Sequence, residues 1–495
     1  MIFENKYLNH KEFRLWKASM SLLKHSSQYL VGKAVPSLIQ LAALAIFSRL
    51  LSPSAYGQYT LVIAGVGLAN AVSFQWLRHG LLRFWPLYES RQEVIISTVM
   101  TGFGVLVLIM GTLFICVQAF VSDPVLQILL AFGLAMLCAE AFFELCQQLE
   151  RSKLMPLRYG LIGFVRASAS LLICTVLVLR GHGAKGLLVG TIAGFALPII
   201  LEIWFYRRLF SIQKVEWALF NKLFHYGLPL TATFALGFLI KSSDRFLVGF
   251  FLGAEEVGLY AISANLANYT LTTLMMVVNL AAFPLAIDAL EKNGRNAADQ
   301  QLELNFIMLF AIALPSAVGI CLLSPNIATV FLGKNFRAAA VAVIPVITFG
   351  ALLAGIKGYY FDLSFQLGRR TIGQVWVSLG TALLNILFNL VFIPVFGLLG
   401  AAFANVLAYA AGLCFSIILG RRVFRLPIPV RSFLKIVLAT GGMALALVPL
   451  RSYRGVSALA IQVITGGLVF SLLLWKFGIL SSFKGPGPEL SCQDV

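Results

Sequence analysis

Ten ionisable side chains lie inside long apolar runs of this sequence: Lys33, Glu140, Glu144, Arg166, Glu202, Lys241, Asp244, Arg245, Lys357 and Asp362. A charge at the centre of a spanning helix costs about 2.5–3.5 kcal/mol, so the set must meet partners, water or a charged ligand. Depth sorts it. Glu144, Glu202 and Asp362 fall within about one or two turns of a helix end, where snorkelling or pairing with Arg151 or Arg369 suffices. Lys33 lies about a turn and a half inside the first run on its cytoplasmic side, Arg166 and Lys357 lie deeper, and Lys241 falls near the middle of its run. Lys241 and Arg245, four residues apart, share a helix face, and Asp244 can neutralise one of them but not both. The surplus is positive. Lys33, Arg166, Lys241, Arg245 and Lys357, with Arg78 at the end of the second run, form a candidate cationic site. Such a site suits an anionic headgroup: Lys and Arg hold a pyrophosphate by charge-assisted hydrogen bonds, and their field raises its local concentration. For each member the alternative role is a structural ion pair, such as Arg166 with Glu140.

A second constellation joins Asp244 to Asn385 and Asn389, which share one helix face, and to Asn405. Oxygen ligands from three neighbouring helices would suit a hard cation such as Na⁺. Alternatively the asparagines hydrogen-bond between helices and Asp244 pairs with Arg245. Glu140, a buried acid, would serve equally as a proton relay. The expectation is therefore no cofactor, with Na⁺ or H⁺ coupling possible in principle. No Walker loop, zinc signature, nucleophile elbow or paired catalytic carboxylates occur in the loops. The seven cysteines form no Cys-x-x-Cys pair, and six sit inside apolar runs as packing residues, with neither metal site nor disulfide framework implied.

The elements that carry these groups follow from composition. Of 495 residues 59% are apolar and 12% charged, with a mean hydropathy of +0.89, which describes an all-α polytopic membrane protein. Fourteen runs reach or approach spanning length, the shortest at 433–450. With the N-terminus placed in the cytoplasm, 26 Lys and Arg residues fall on the inner side against 7 outside, as the positive-inside rule requires. Both termini are then cytoplasmic, and the net charge of +18 is chiefly a topology signal. Nucleic-acid binding is not expected, because the basic residues are spread over many short loops. Segment 1–27 places Phe13, Trp16, Met20 and Leu23 at helical spacing among lysines and an arginine, which reads as an amphipathic anchor on the inner leaflet. It has no cleavable-signal pattern.

The chain also echoes itself. "LSPSAYGQY" (51–59) is answered by "LGAEEVGLY" (252–260), "FELCQQLER" (143–151) by "FDLSFQLGR" (361–369), and "GAKG" (183–186) by "GLLG" (397–400). Each echo displaces by six runs, so the chain divides into an N-lobe at 28–206, an interfacial linker at 207–226 and a C-lobe at 227–422. Two further spans follow in 423–476, and a cytoplasmic tail in 477–495. Six is even, so the lobes are parallel repeats, an arrangement in which transporters hold substrate between halves and rock them. The first echo reads as a tight outer turn permitted by Gly57, Gly253 and Gly258, with Tyr59 and Tyr260 at the membrane interface.

The Leu, Gly and Tyr of the first echo, the Gln-Leu-x-Arg at 366–369 and "IPVFGLLGAAFANVLAYAAG" (393–412) resemble the polysaccharide transporters. These are the Wzx-type lipid-linked oligosaccharide flippases of the MOP superfamily, which also holds MATE-type multidrug exporters and the flippase MurJ. The resemblance covers about residues 28 to 422 and implies a MATE/MurJ-like fold and a non-enzymatic function. That function is translocation of undecaprenyl-pyrophosphate-linked repeat units, for O-antigen of lipopolysaccharide or for exopolysaccharide, from the inner to the outer leaflet of the bacterial inner membrane by alternating access. It further implies a cleft lined by spans one, two, seven and eight, which favours Lys33, Lys241, Arg245 and Arg78, and a cation site near Asp244. Polysaccharide polymerase and chain-length machinery are the implied partners. Two other readings compete. A cation-coupled multidrug exporter of the same superfamily would resemble its relatives in carrying an Asp in the first span, where this chain has no carboxylate. A membrane-embedded glycan polymerase or ligase would need an extended outer loop, and every outer connection here is short.

Overall fold

The computed structural model describes residues 35–207 and 209–479, where every regular element is a helix. In chain order these are α1 (Val35–Leu50), α2 (Pro53–Ser73), α3 (Gln75–Phe84), α4 (Gln92–Ala119), α5 (Pro124–Ser152), α6 (Pro156–Leu179), α7 (Gly183–Tyr206), α8 (Trp217–Leu252) and α9 (Ala254–Ala267). There follow α10 (Thr273–Phe331), α11 (Lys334–Ile356), α12 (Leu363–Leu367), α13 (Ile372–Val423), α14 (Val430–Leu447) and α15 (Val456–Lys476). Short π-helical turns at Asn268–Thr272 and Lys357–Phe361 join α9 to α10 and α11 to α12. The amphipathic segment 1–27, Lys33 and most of the tail lie outside the described residues.

Nine helical stretches among the described residues are long and apolar enough to cross a membrane, or ten if α2 and α3 with its extension to Leu87, bent by 47°, count as one span. The expected fourteen treats runs on either side of a break separately. Such breaks exist: at a rise of 1.5 Å per residue, the 59 residues of α10 would reach about 90 Å, roughly three hydrocarbon thicknesses. Gly294 at φ 78° interrupts α10, and Gly397 at φ 57° interrupts α13. A side chain at these angles would crowd the carbonyl, so glycine is where a helix can be divided without strain.

The chain divides into two compact units, one of residues up to 43 with 62–238, the other of 44–61 with 239–495. In the first, Trp76, Leu77 and Trp85 from α3 and its extension pack with Ile95 of α4, Leu149 of α5, Tyr206 of α7 and Leu223 of α8. Burying each such side chain contributes about 1.5–3 kcal/mol, so this cluster fixes the bent α2–α3 pair against α5. In the second unit, Phe306, Phe310 and Tyr360 centre a core to which Ile436, Met443 and Phe470 attach α14 and α15. Another core joins Val248, Val257 and Tyr260 to Ile393 and Ala402.

The echoed motifs have structural counterparts, in part displaced. Gly183 (φ 51°) opens α7 and Gly397 (φ 57°) opens the second part of α13, so the third echo is repeated in backbone conformation. Helix α5 ends with Leu154 in the left-handed region and Met155 N–H on the Glu150 carbonyl at 3.0 Å. Helix α12 ends with Arg369 in that region and Arg370 N–H on Phe365 O at 2.9 Å. Both are Schellman caps, but they align Leu154 with Arg369, three residues away from the Arg151–Arg369 match of the sequence echo. The first echo needs a larger correction. Gly253 makes the turn, at φ 91°, whereas Gly57 and Gly258 lie within α2 and α9 and contact each other. Tyr260 is 3% exposed and belongs to the core rather than the membrane interface.

Candidate functional site

Helix α8 delivers three consecutive polar side chains, Ser243, Asp244 and Arg245, in different directions, because successive helical residues step about 100° around the axis. Asp244 is 2% exposed. Its Oδ2 accepts the Tyr260 hydroxyl at 2.8 Å and the Asn405 amide at 3.0 Å, and its Oδ1 accepts the Asn389 amide at 2.9 Å. The Ser243 hydroxyl donates to Asn385 Oδ1 at 2.8 Å, which also receives Asn389 Nδ2 at 3.2 Å. The structure therefore brings Asp244, Asn385, Asn389 and Asn405 together as the sequence arranges them and adds Tyr260 and Ser243.

The shell around Asp244 consists of N–H and O–H donors. A hard cation needs six or so oxygens, and Asn389 Oδ1 is the side-chain oxygen left without a partner in this cluster. In this arrangement the residues hold a carboxylate by hydrogen bonds. Glu140 is remote in the chain and belongs to the other unit, where the cations acting on it are Arg166 and Arg78.

Arg245 does not pair with Asp244. Its guanidinium donates to Asn265 Oδ1 of α9 at 2.8 Å, and no described carboxylate lies within the 4.0 Å of an ion pair. Asn265 also bonds Tyr56 of α2, which like Tyr260 lies near the guanidinium. This half-buried cation thus rests on a neutral amide among phenols. The Lys241 backbone lies one turn earlier in α8, its side chain outside the described residues, as is all of Lys33.

The other candidate cations are engaged elsewhere. Arg78, 7% exposed, forms an ion pair with Glu144 and bonds Gln75 and, at 3.2 Å, Asn70. It ties the bent α2–α3 segment to α5, in place of the expected Glu144–Arg151 pair. Lys357, also 7% exposed, donates to Asp362 Oδ2 at 2.8 Å, and Ser416 of α13 donates to Oδ1 at 2.6 Å. The expected Asp362–Arg369 pair is absent because Arg369 turns outward to Glu291. For both Arg78 and Lys357 the correction has one cause: an acid sits on an adjoining helical turn or helix and satisfies the charge inside a single unit. Arg166 lies 5.5 and 5.1 Å from the ring centroids of Phe143 and Phe195, a cation–π setting. Of the set, Arg245 alone among the described members has neither a carboxylate nor an aromatic face as its stated partner.

Sequence reasoning missed Tyr260, Asn265 and Tyr56. The first was visible as the last residue of an echoed motif but read as an interface anchor, and Asn265 lies one and a half turns further along the same helix. Trp76 and Tyr360 are core aromatics: Trp76 packs edge-on against Phe220 and Phe224, and Tyr360, fully buried, donates to Pro427 O.

A helical bundle crossing the membrane many times, with polar and charged groups held in its interior, is the architecture of a multi-pass membrane transporter. Residues 46–341 match the polysaccharide biosynthesis protein family, and the chain belongs to it. It is 24% identical over 411 residues to a Shigella flexneri protein provisionally named an O-antigen transporter, covering 77% of this chain and 94% of that one. With the Haloferax volcanii protein named as probable flippase AglR it shares 24% identity over 264 residues, 51% of this chain and 53% of that one. The fold is similar to that of the lipid II flippase MurJ in its inward closed conformation, with a TM-score of 0.73, 16% identity, and coverage of 92% of this chain and 99% of MurJ.

Proposed function

We propose that this protein is a lipid-linked oligosaccharide flippase that moves undecaprenyl-pyrophosphate-linked repeat units from the inner to the outer leaflet of a bacterial inner membrane by alternating access, with both termini cytoplasmic. Family membership and the flippase and O-antigen names of its relatives support the class. The observation that carries the headgroup chemistry is Arg245: a half-buried guanidinium bonded to a neutral amide keeps its charge for an anionic guest. Lys241, one turn away on α8, and Lys33 are proposed to join it. The donor-rich shell of Asp244 supports a structural anion that holds α8, α9 and α13 in register, so no step is assigned to Na⁺. Polymerase and chain-length machinery are the proposed recipients of the product.

Deletion of the gene in its host, with extraction of lipid-linked intermediates, tests the reading. Surface glycan should fall and the undecaprenyl-linked precursor accumulate. Arg245→Ala should fail to rescue at normal protein abundance while Arg245→Lys rescues in part. Full rescue by Lys241→Ala/Arg245→Ala would remove the cationic site from the mechanism.

A further inference from the structure

Away from Arg245, the end of the first unit that the Lys and Arg distribution assigns to the cytoplasm holds a second polar cluster. Glu150 of α5 is 0% exposed and Glu202 of α7 is 3% exposed. One guanidinium serves both: Arg158 of α6 donates to Glu202 Oε1 at 2.8 Å and lies 3.5 Å from Glu150 Oε1. Glu150 Oε1 also accepts the Tyr206 hydroxyl, which in turn accepts Lys153 Nζ at 3.2 Å. Glu150 Oε2 and Glu202 Oε2 are buried without a hydrogen-bond partner. Cys146, one turn before Glu150 on α5, lies near both acids, and Phe205 covers the Arg158 guanidinium at 3.8 Å. Lys153 makes no ion pair with either acid; its ammonium lies 4.3 Å from the Tyr206 ring centroid and 5.1 Å from that of Trp85.

Two buried carboxylates thus compete for one guanidinium, and each exposes a bare oxygen to a dry interior. The second cation, Lys153, stops at the phenol, so a second negative charge between the acids meets no direct partner, and two acids sharing such a site hold a proton between them. We propose that Glu150 and Glu202 form a proton-binding site that shares one proton, reached from the aqueous side through Lys153 and the Tyr206 hydroxyl. The path is continuous: Lys153 is half-buried at the loop between α5 and α6, its N–H meets the phenol oxygen, and the phenol O–H meets Glu150. Transfer along it conserves protons: the phenol gives its proton to Glu150 as it receives one from Lys153, which is then reprotonated by water. Burial also pulls the Lys153 ammonium below its ordinary value, with Glu150 partly opposing the effect and Arg158 adding to it, so Lys153 is a better proton donor than a free lysine. The site is independent of which glycan is carried, and its test involves no transport.

The purified full-length protein in lipid nanodiscs is titrated by pH-difference infrared spectroscopy. The wild type should show a protonated-carboxyl C=O band equivalent to one group, and that band should vanish in both Glu150→Gln and Glu202→Gln, because the remaining acid then has Arg158 to itself. Tyr206→Phe should keep the band and slow its appearance after a pH jump by tenfold or more. If one Gln variant does not yield folded protein, the other and Tyr206→Phe still decide. A wild type without the band, a band that survives the Gln variants, or unchanged kinetics in Tyr206→Phe would overturn the site.

Discussion

Gly57 and Gly258 face each other across α2 and α9: a Cβ on Gly57 would enter the carbonyl of Ala254, and a Cβ on Gly258 the carbonyl of Pro53. Ala254 and Pro53 each lie four residues before the facing glycine, so the contact is symmetric, one turn against one turn. The two equivalent positions of the echo therefore meet where the helices approach backbone to backbone. Gly57→Ala or Gly258→Ala should each destabilise this packing by about 1–3 kcal/mol, as overpacking does, seen as a lower Tm in nanodiscs. The double variant should cost less than the sum, because both substitutions prise open the same contact. Two unchanged melting curves would mean that the helices separate here at no cost.

The Lys357–Asp362 pair should behave as a buried ion pair. Asp362→Asn leaves the ammonium uncompensated and should cost about 3–5 kcal/mol, whereas Lys357→Met/Asp362→Leu should recover most of it. The double variant should also still rescue surface glycan in a deletion strain. A double variant as damaged as Asp362→Asn would return Lys357 to the list of substrate-binding cations.

For Asp244, removing one donor by Tyr260→Phe should cost about 1.5–3 kcal/mol, the range for hydrogen bonds to charged groups, read by chemical or thermal unfolding. Replacing Na⁺ with K⁺ at constant ionic strength should leave the Tm of the wild type unmoved. A Na⁺-specific rise in Tm that disappears in Asp244→Asn would establish a cation site there.

Lys153 makes stability depend on pH in the alkaline range. Its depressed value in the folded protein means that, between that value and the ordinary lysine value, the unfolded chain binds more protons than the folded one. Stability should therefore rise with pH across that window in the wild type relative to Lys153→Met. A constant difference in Tm between the two proteins from neutral to alkaline pH would show that Lys153 is indifferent to its surroundings.

Much of this was legible in the chain itself, for reasons that differ by residue. Apolar length reports helices directly, since hydrocarbon demands satisfied backbone over a fixed thickness. Asn385 and Asn389, four apart, had to share a face, and their meeting with Asp244 follows. Pairing was less legible. Glu144 and Asp362 have arginines near in sequence, Arg151 and Arg369, yet bond Arg78 and Lys357, because partners are chosen by which helix faces which and by the path of a bent α2–α3 or a π-helical turn at 357–361. Glu150 drew no attention because a charge near a helix end normally reads as solvated. Only its complete burial beside the Tyr206 hydroxyl distinguishes it.

The left-handed glycines at 183 and 397 preserve something the side chains around them have lost. Between "GAKG" and "GLLG" the two inner letters differ, while the main chain takes the same hand at the glycine that opens each. Kinship between the two stretches is therefore easier to see in torsions than in letters: matching bends mark equivalent joints where the side chains no longer agree.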